Sequence, residues 1–129
     1  YIEESKKWRL GDPSDVETQL GPLARPDLVR RLEQQYIMLS KVGKVLLKSE
    51  FNTSFVSPGL VSLPRYAKKV LKEEVFGPIG TVVVFDEIDK AIELANAGPY
   101  GLSASIWSKD MDLALKLGAQ IEVGSVFVN

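Results

Sequence analysis

Glu73-Glu74-Val75-Phe76-Gly77-Pro78 is the stretch of this chain whose residue types and spacing could do chemistry. Two carboxylates and an aromatic ring stand directly ahead of a Gly-Pro break, and a largely β-branched run, residues 79–85, follows. Proline has no backbone N–H and pushes the residue before it out of the helical region. The charged, helix-compatible run 66–74 must therefore stop there, and the apolar run after it reads as a buried strand. The acids and the ring sit on an irregular connection feeding a core strand, where a rigid scaffold tends to place binding groups. On pattern alone, the competing reading is a solvated helix end whose Phe76 plugs the core.

What the chain lacks is as informative. Its 129 residues include no cysteine and no histidine. It therefore has no thiol nucleophile, no disulfide and no cysteine-based metal site, and it lacks the commonest general base and metal ligand. No catalytic residue and no metal ligand is assigned. A net charge of −1 gives no basic footprint for nucleic acid. No apolar run approaches the ~20 residues of a membrane helix. The opening YIEESKKWRL has no apolar segment of the signal-peptide kind, so a cytoplasmic location is expected. The chain also starts without methionine and in mid-helix, which points to a fragment or to a chain trimmed to its ordered part.

The elements that must position the stretch follow from periodicity. Leu28, Leu32, Tyr36 and Leu39 recur at helical spacing and predict a helix over 26–39, with Pro26 in its first turn and Asp27 near its N-terminus. Gly43 turns the chain into a short strand at 45–47. Residues 55–61 are a second strand candidate, and Pro58 inside it argues for an edge position or a bulge. A short helix over 65–73 leads to the central stretch and a strand centred on 82–85. Helices at 86–97, capped by Asp86, and at 111–121, opened by Asp110, then alternate with strands at 104–107 and 126–128. This alternation predicts an α/β fold, a mostly parallel sheet with helices on both faces. The expected core contains Leu32, Val83, Ile92, Leu94, Ile106, Leu113, Leu117 and Phe127. Asn129 stands at a strand end, where its amide could cap a neighbouring loop.

Four ordered motifs carry a resemblance. They are Gly11-Asp12-Pro13 followed by Leu20-Gly21-Pro22-Leu23; Glu73-Glu74-Val75-Phe76-Gly77-Pro78; Ala95-Asn96 with Tyr100-Gly101-Leu102-Ser103; and Gly124-Ser125-Val126-Phe127-Val128-Asn129. Together they resemble the aldehyde dehydrogenase superfamily over nearly the whole chain. Residues 20–28, LGPLARPDL, look particularly like the succinate-semialdehyde dehydrogenase branch. The resemblance implies that residues 1–129 are part of the catalytic domain, downstream of a missing nucleophile. The complete protein would then oxidise a small aldehyde to its acid with NAD or NADP, and is expected to be a homo-oligomer. The cofactor-binding residues it implies are Glu74, accepting hydrogen bonds from the nicotinamide-ribose hydroxyls, and Phe76, lying against the nicotinamide side. The alternative is a catalytically inactive α/β module serving assembly or binding.

Overall fold

Two stretches distant in sequence, Tyr1–Pro64 and Val75–Val83, build one unit of the structure, and Arg65–Glu74 with Val84–Asn129 build a second. The computed structural model describes residues 1–129, the side chain of Lys68 excepted.

Unit 1 opens with the single turn α1 (Ile2–Ser5) and is built on α2 (Pro26–Val42). Pro26 occupies the first turn of α2, where its missing N–H costs no bond. Arg25 precedes it in extended conformation and grips the Asp27 carboxylate through Nε and Nη2, each at 2.9 Å. Val29, Leu32, Tyr36 and Leu39 form the buried stripe, with Leu32 and Leu39 each 1% exposed. Burying such a leucine is worth roughly 1.5–3 kcal/mol. The helix ends at Gly43, whose N–H donates to the Leu39 carbonyl. A Cβ at Gly43 would stand 2.4 Å from the Ser62 carbonyl, so only glycine lets the chain turn this close to the sheet.

Directly after it, β1 (Lys44–Leu47) pairs antiparallel with β2 (Gly59–Ser62), with a register shift between Val45 and Leu47. On its other side β2 pairs parallel with β3 (Ile79–Val82). Two expectations are corrected here. Pro58 does not make its strand an edge: β2 starts one residue later, loses no ladder donor, and is central, with Gly59, Leu60 and Val61 buried. And the strand expected at 82–85 ends at Val82. Its partner stops at Ser62, Leu63 donates a last bond to the Val82 carbonyl, and Pro64 has no N–H to continue the ladder.

Unit 2 contains α3 (Lys68–Leu71), α4 (Ile88–Ala95), β4 (Ser103–Ile106), α5 (Met111–Gly118) and β5 (Ser125–Val128). The strands β4 and β5 pair parallel, so among the described residues two of the three strand pairings are parallel and the α/β class holds; these strands form two sheets. Asp110 caps α5, its carboxylate accepting from the Leu113 N–H at 2.9 Å. Gly118, at the end of α5, would place a Cβ 3.2 Å from Val126 and 3.7 Å from Ile106, so the helix lies close on that sheet face.

Of the expected core, Leu32 is buried, whereas Val83, Ile92, Leu94, Ile106, Leu113 and Leu117 are half-buried and Phe127 is 62% exposed. For Phe127 the reason is strand alternation. Val126 and Val128 share one face with Ala104 and Ile106, and Phe127 shares the opposite, exposed face with Ser103, Ser105 and Ser125. The fully buried large side chains, Leu32, Leu39, Val56 and Val61, all belong to unit 1.

Two asparagines hold the loops of unit 2. Asn129 accepts from the Ser108 N–H at 2.9 Å and donates to the Ser108 carbonyl at 3.0 Å, capping the neighbouring loop as expected. Asn96 accepts from Glu122 N–H at 2.9 Å and donates to the Gln120 carbonyl at 2.8 Å. Asn96→Ala removes both bonds and leaves two backbone groups to find water. A loss of about 1–3 kcal/mol is expected, read by urea denaturation; an unchanged midpoint would show that solvent satisfies the turn equally well. No helix among the described residues is long and apolar enough to cross a membrane.

Candidate functional site

The central stretch lies where the chain changes unit. Glu74 is the last residue of the Arg65–Glu74 segment in unit 2, and Val75 begins the Val75–Val83 segment of unit 1. Two peptide units join Glu74 to Phe76, so their Cα atoms lie within about 7 Å of each other.

On the unit 2 side, α3 is a single turn, and Lys72 follows it in helical conformation. Glu73 and Glu74 are exposed. The segment is held at its start by Arg65, whose Nε donates to the Val84 carbonyl at 2.9 Å and whose guanidinium also grips the Asp86 carboxylate. That hydrogen bond holds the Asp86 carboxyl below the usual carboxylate range. Asp86 therefore does not cap α4, as the sequence suggests; Glu87 stands at the N-cap with no side-chain bond. Toward the end of the segment the Leu71 carbonyl lies 3.6 Å from where a Cβ on Gly98 would stand.

On the unit 1 side the Gly-Pro pair is fixed by packing. A Cβ on Gly77 would lie 2.3 Å from Leu32 Cδ2, and Leu32 is fully buried. Glycine is therefore required at 77 for close approach to α2. The Pro78 carbonyl accepts from Gly59 N–H at 2.9 Å, and Ile79 is 5% exposed. Phe76, one residue upstream of this anchor, is 69% exposed. The reading of Phe76 as a core plug is thus set aside: the sequence holds an aromatic ring out from a rigid base.

The donor set can bind but cannot carry a covalent step. An exposed carboxylate accepts hydrogen bonds from hydroxyls, and an exposed aromatic ring offers a flat apolar surface. Among the described residues no group of acidic side chains could hold a metal ion. A cavity of about 600 Å³ in unit 1, lined by Leu10, Gly11, Glu50, Phe51, Asn52, Phe55 and Ser57, includes neither Glu74 nor Phe76. Sequence reasoning singled out Glu74, Phe76, Gly77 and Pro78 but missed Arg65 and its tie to residues 84–86. A partner nineteen or more positions away leaves no periodic signal.

Comparison with known proteins places this geometry. The aldehyde dehydrogenase family profile matches residues 1–129. A lactaldehyde dehydrogenase of Methanococcus maripaludis is 32% identical over 99% of this chain and 28% of its own length. The crystal structure of an NAD-dependent benzaldehyde dehydrogenase from Corynebacterium glutamicum superposes with a TM-score of 0.90 at 32% identity, over 98% of this chain and 27% of that one. A succinic semialdehyde dehydrogenase from Streptococcus pyogenes, solved in complex with NADP+, gives a TM-score of 0.87 at 27% identity, again over 98% of this chain and 29% of that one. The chain spans just over a quarter of the length of these relatives.

Proposed function

This chain belongs to the aldehyde dehydrogenase family, and from that premise we propose that it supplies the cofactor-holding part of the catalytic domain of an NAD(P)-dependent aldehyde dehydrogenase. What carries the reading is the exposed pair Glu74 and Phe76 on either side of Val75, ahead of a Gly-Pro anchor packed on α2 and β2. Both side chains suit the nicotinamide half of the cofactor. The Glu74 carboxylate can accept from the two vicinal ribose hydroxyls, and a charged acceptor makes such bonds short and orienting. The Phe76 ring limits where the nicotinamide can lie. When bound, the nicotinamide accepts a hydride from the substrate. The residues described here orient it; the thiol that attacks the aldehyde and the base that activates water come from outside these 129 residues. For the aldehyde, LGPLARPDL at residues 20–28 favours succinate semialdehyde, and a comparison of aldehydes on the complete polypeptide tests this choice.

The deciding experiment on Glu74 uses the complete polypeptide. Glu74→Gln keeps shape and removes the charge. Hydride transfer depends on near-attack geometry, and a small misplacement can cost ~10²-fold. A single-turnover rate reduced by up to that factor, with weaker cofactor binding, is expected. Stability should change by ~0.5 kcal/mol or less, as for other exposed positions. A large fall in melting temperature with an unchanged hydride-transfer rate would make Glu74 a structural residue instead.

A further inference from the structure

We infer that Arg65 is a positioning residue for Glu74: it ties the segment that carries the carboxylate to the root of α4. The inference rests on the cofactor role proposed for Glu74. The chain enters unit 2 at Arg65, leaves it after Glu74 and returns at Val84. Between those crossings lie ten residues that contain only a one-turn helix. So short a helix contributes little stability of its own, and the segment depends on what grips it.

Arg65 grips it at two points at once. Nε donates to the Val84 carbonyl at 2.9 Å, and Nη1 bonds the Asp86 carboxylate. The Val84 carbonyl is available because β3 has already ended at Val82. Asp86 is available because it does not cap α4. The guanidinium therefore closes a loop whose ends are the entry of the Glu74 segment and the return of the chain from β3. Its planar fork suits this double contact; a lysine ammonium could satisfy one partner in a fixed direction but not both. Glu74 lies three residues beyond the end of α3, so the backbone that carries it follows directly from the turn whose entry Arg65 holds.

As a surface ion pair alone this contact would be worth little to stability, for the two side chains are 47% and 66% exposed. Its consequence is geometric, and it falls on the cofactor step rather than on melting. The test uses the complete polypeptide with NADH and NADPH as probes. Arg65→Ala should weaken binding of the preferred cofactor and slow single-turnover hydride transfer roughly tenfold, less than the ~10²-fold of a full misplacement. Asp86→Asn, which removes one of the two grips, should act in the same direction and more weakly. Arg65→Ala combined with Glu74→Gln should be no worse than Glu74→Gln alone, because a misplaced residue that no longer makes its contact has nothing further to lose. A purely structural role would lower melting temperature and leave cofactor affinity unchanged well below it. Wild-type cofactor parameters for Arg65→Ala, beside a damaged Glu74→Gln, overturn the positioning role and spare the role of Glu74. Additive losses in the double variant also overturn it. A silent Glu74→Gln removes the cofactor role itself, and the positioning role with it.

Discussion

The purified 129-residue chain is expected to show no aldehyde-dependent reduction of NAD or NADP. The family chemistry begins with a thiolate attacking the aldehyde carbonyl, and the chain contains no cysteine to supply it. It also has no histidine that could stand in as a base. Where a serine protease has lost its nucleophile, turnover falls by ~10⁶, and what remains comes from binding and oxyanion stabilisation. The resemblance to the family implies that its oxyanion donors also lie outside these residues, so even that remainder is not expected. The measurement is absorbance at the nicotinamide band with a panel of aldehydes, using protein purified away from host dehydrogenases. Turnover above the uncatalysed rate would mean that some other group in the chain forms the acyl intermediate, and the division of labour proposed for it would fail.

The second large effect concerns folding. Leu32 is 1% exposed and lies against the backbone of Gly77. Leu32→Ala leaves a cavity at the point where α2 meets the Gly-Pro anchor and should cost about 2–5 kcal/mol. Gly77→Ala acts in the opposite sense. Its methyl would stand 2.3 Å from Leu32 Cδ2, and a buried leucine has no open space to turn into, so about 1–3 kcal/mol is expected from overpacking. The two should couple. In the double variant the added methyl occupies part of the space that the leucine vacates, and the loss should be smaller than the sum of the single losses. Chemical denaturation of the three variants measures this directly. Strict additivity would show that the Gly77 backbone and Leu32 do not share one packing site in solution.

Much of this architecture was legible in the residues, and the exceptions share a cause. The helix α2 could be read because Leu28, Leu32, Tyr36 and Leu39 repeat at helical spacing with Pro26 at the start. The helix α5 could be read because Asp110 is a local cap. These signals lie within one element. The end of β3 could not be read, since it depends on Pro64 in another segment ending the ladder. Nor could the exposure of Phe127, which depends on which sheet face α5 covers. The candidate site divides in the same way. Glu74 and Phe76 were singled out because a local motif contains them, and Gly77 was noticed as a turn residue. That Gly77 is required by Leu32, and that Arg65 reaches Val84 and Asp86, are facts of tertiary approach.

The alternation of the chain between its two units has a consequence for how it is made. During synthesis at ~5–20 residues per second, α2, β1 and β2 emerge together, and the β1–β2 ladder can form as soon as they do. The ladder from β2 to β3 must wait for some twenty further residues, Gly59 pairing with Ile79. Arg65 emerges before β3, but the Val84 carbonyl and Asp86 carboxylate that it grips leave the ribosome later. The Glu74 segment is thus older than its own anchors. It leaves the ribosome early and is fixed late, so a nascent chain paused before residue 84 would carry the Glu-x-Phe-Gly-Pro segment with its Arg65 grip unmade, open to proteases and chaperones at the point on which the proposed cofactor geometry depends.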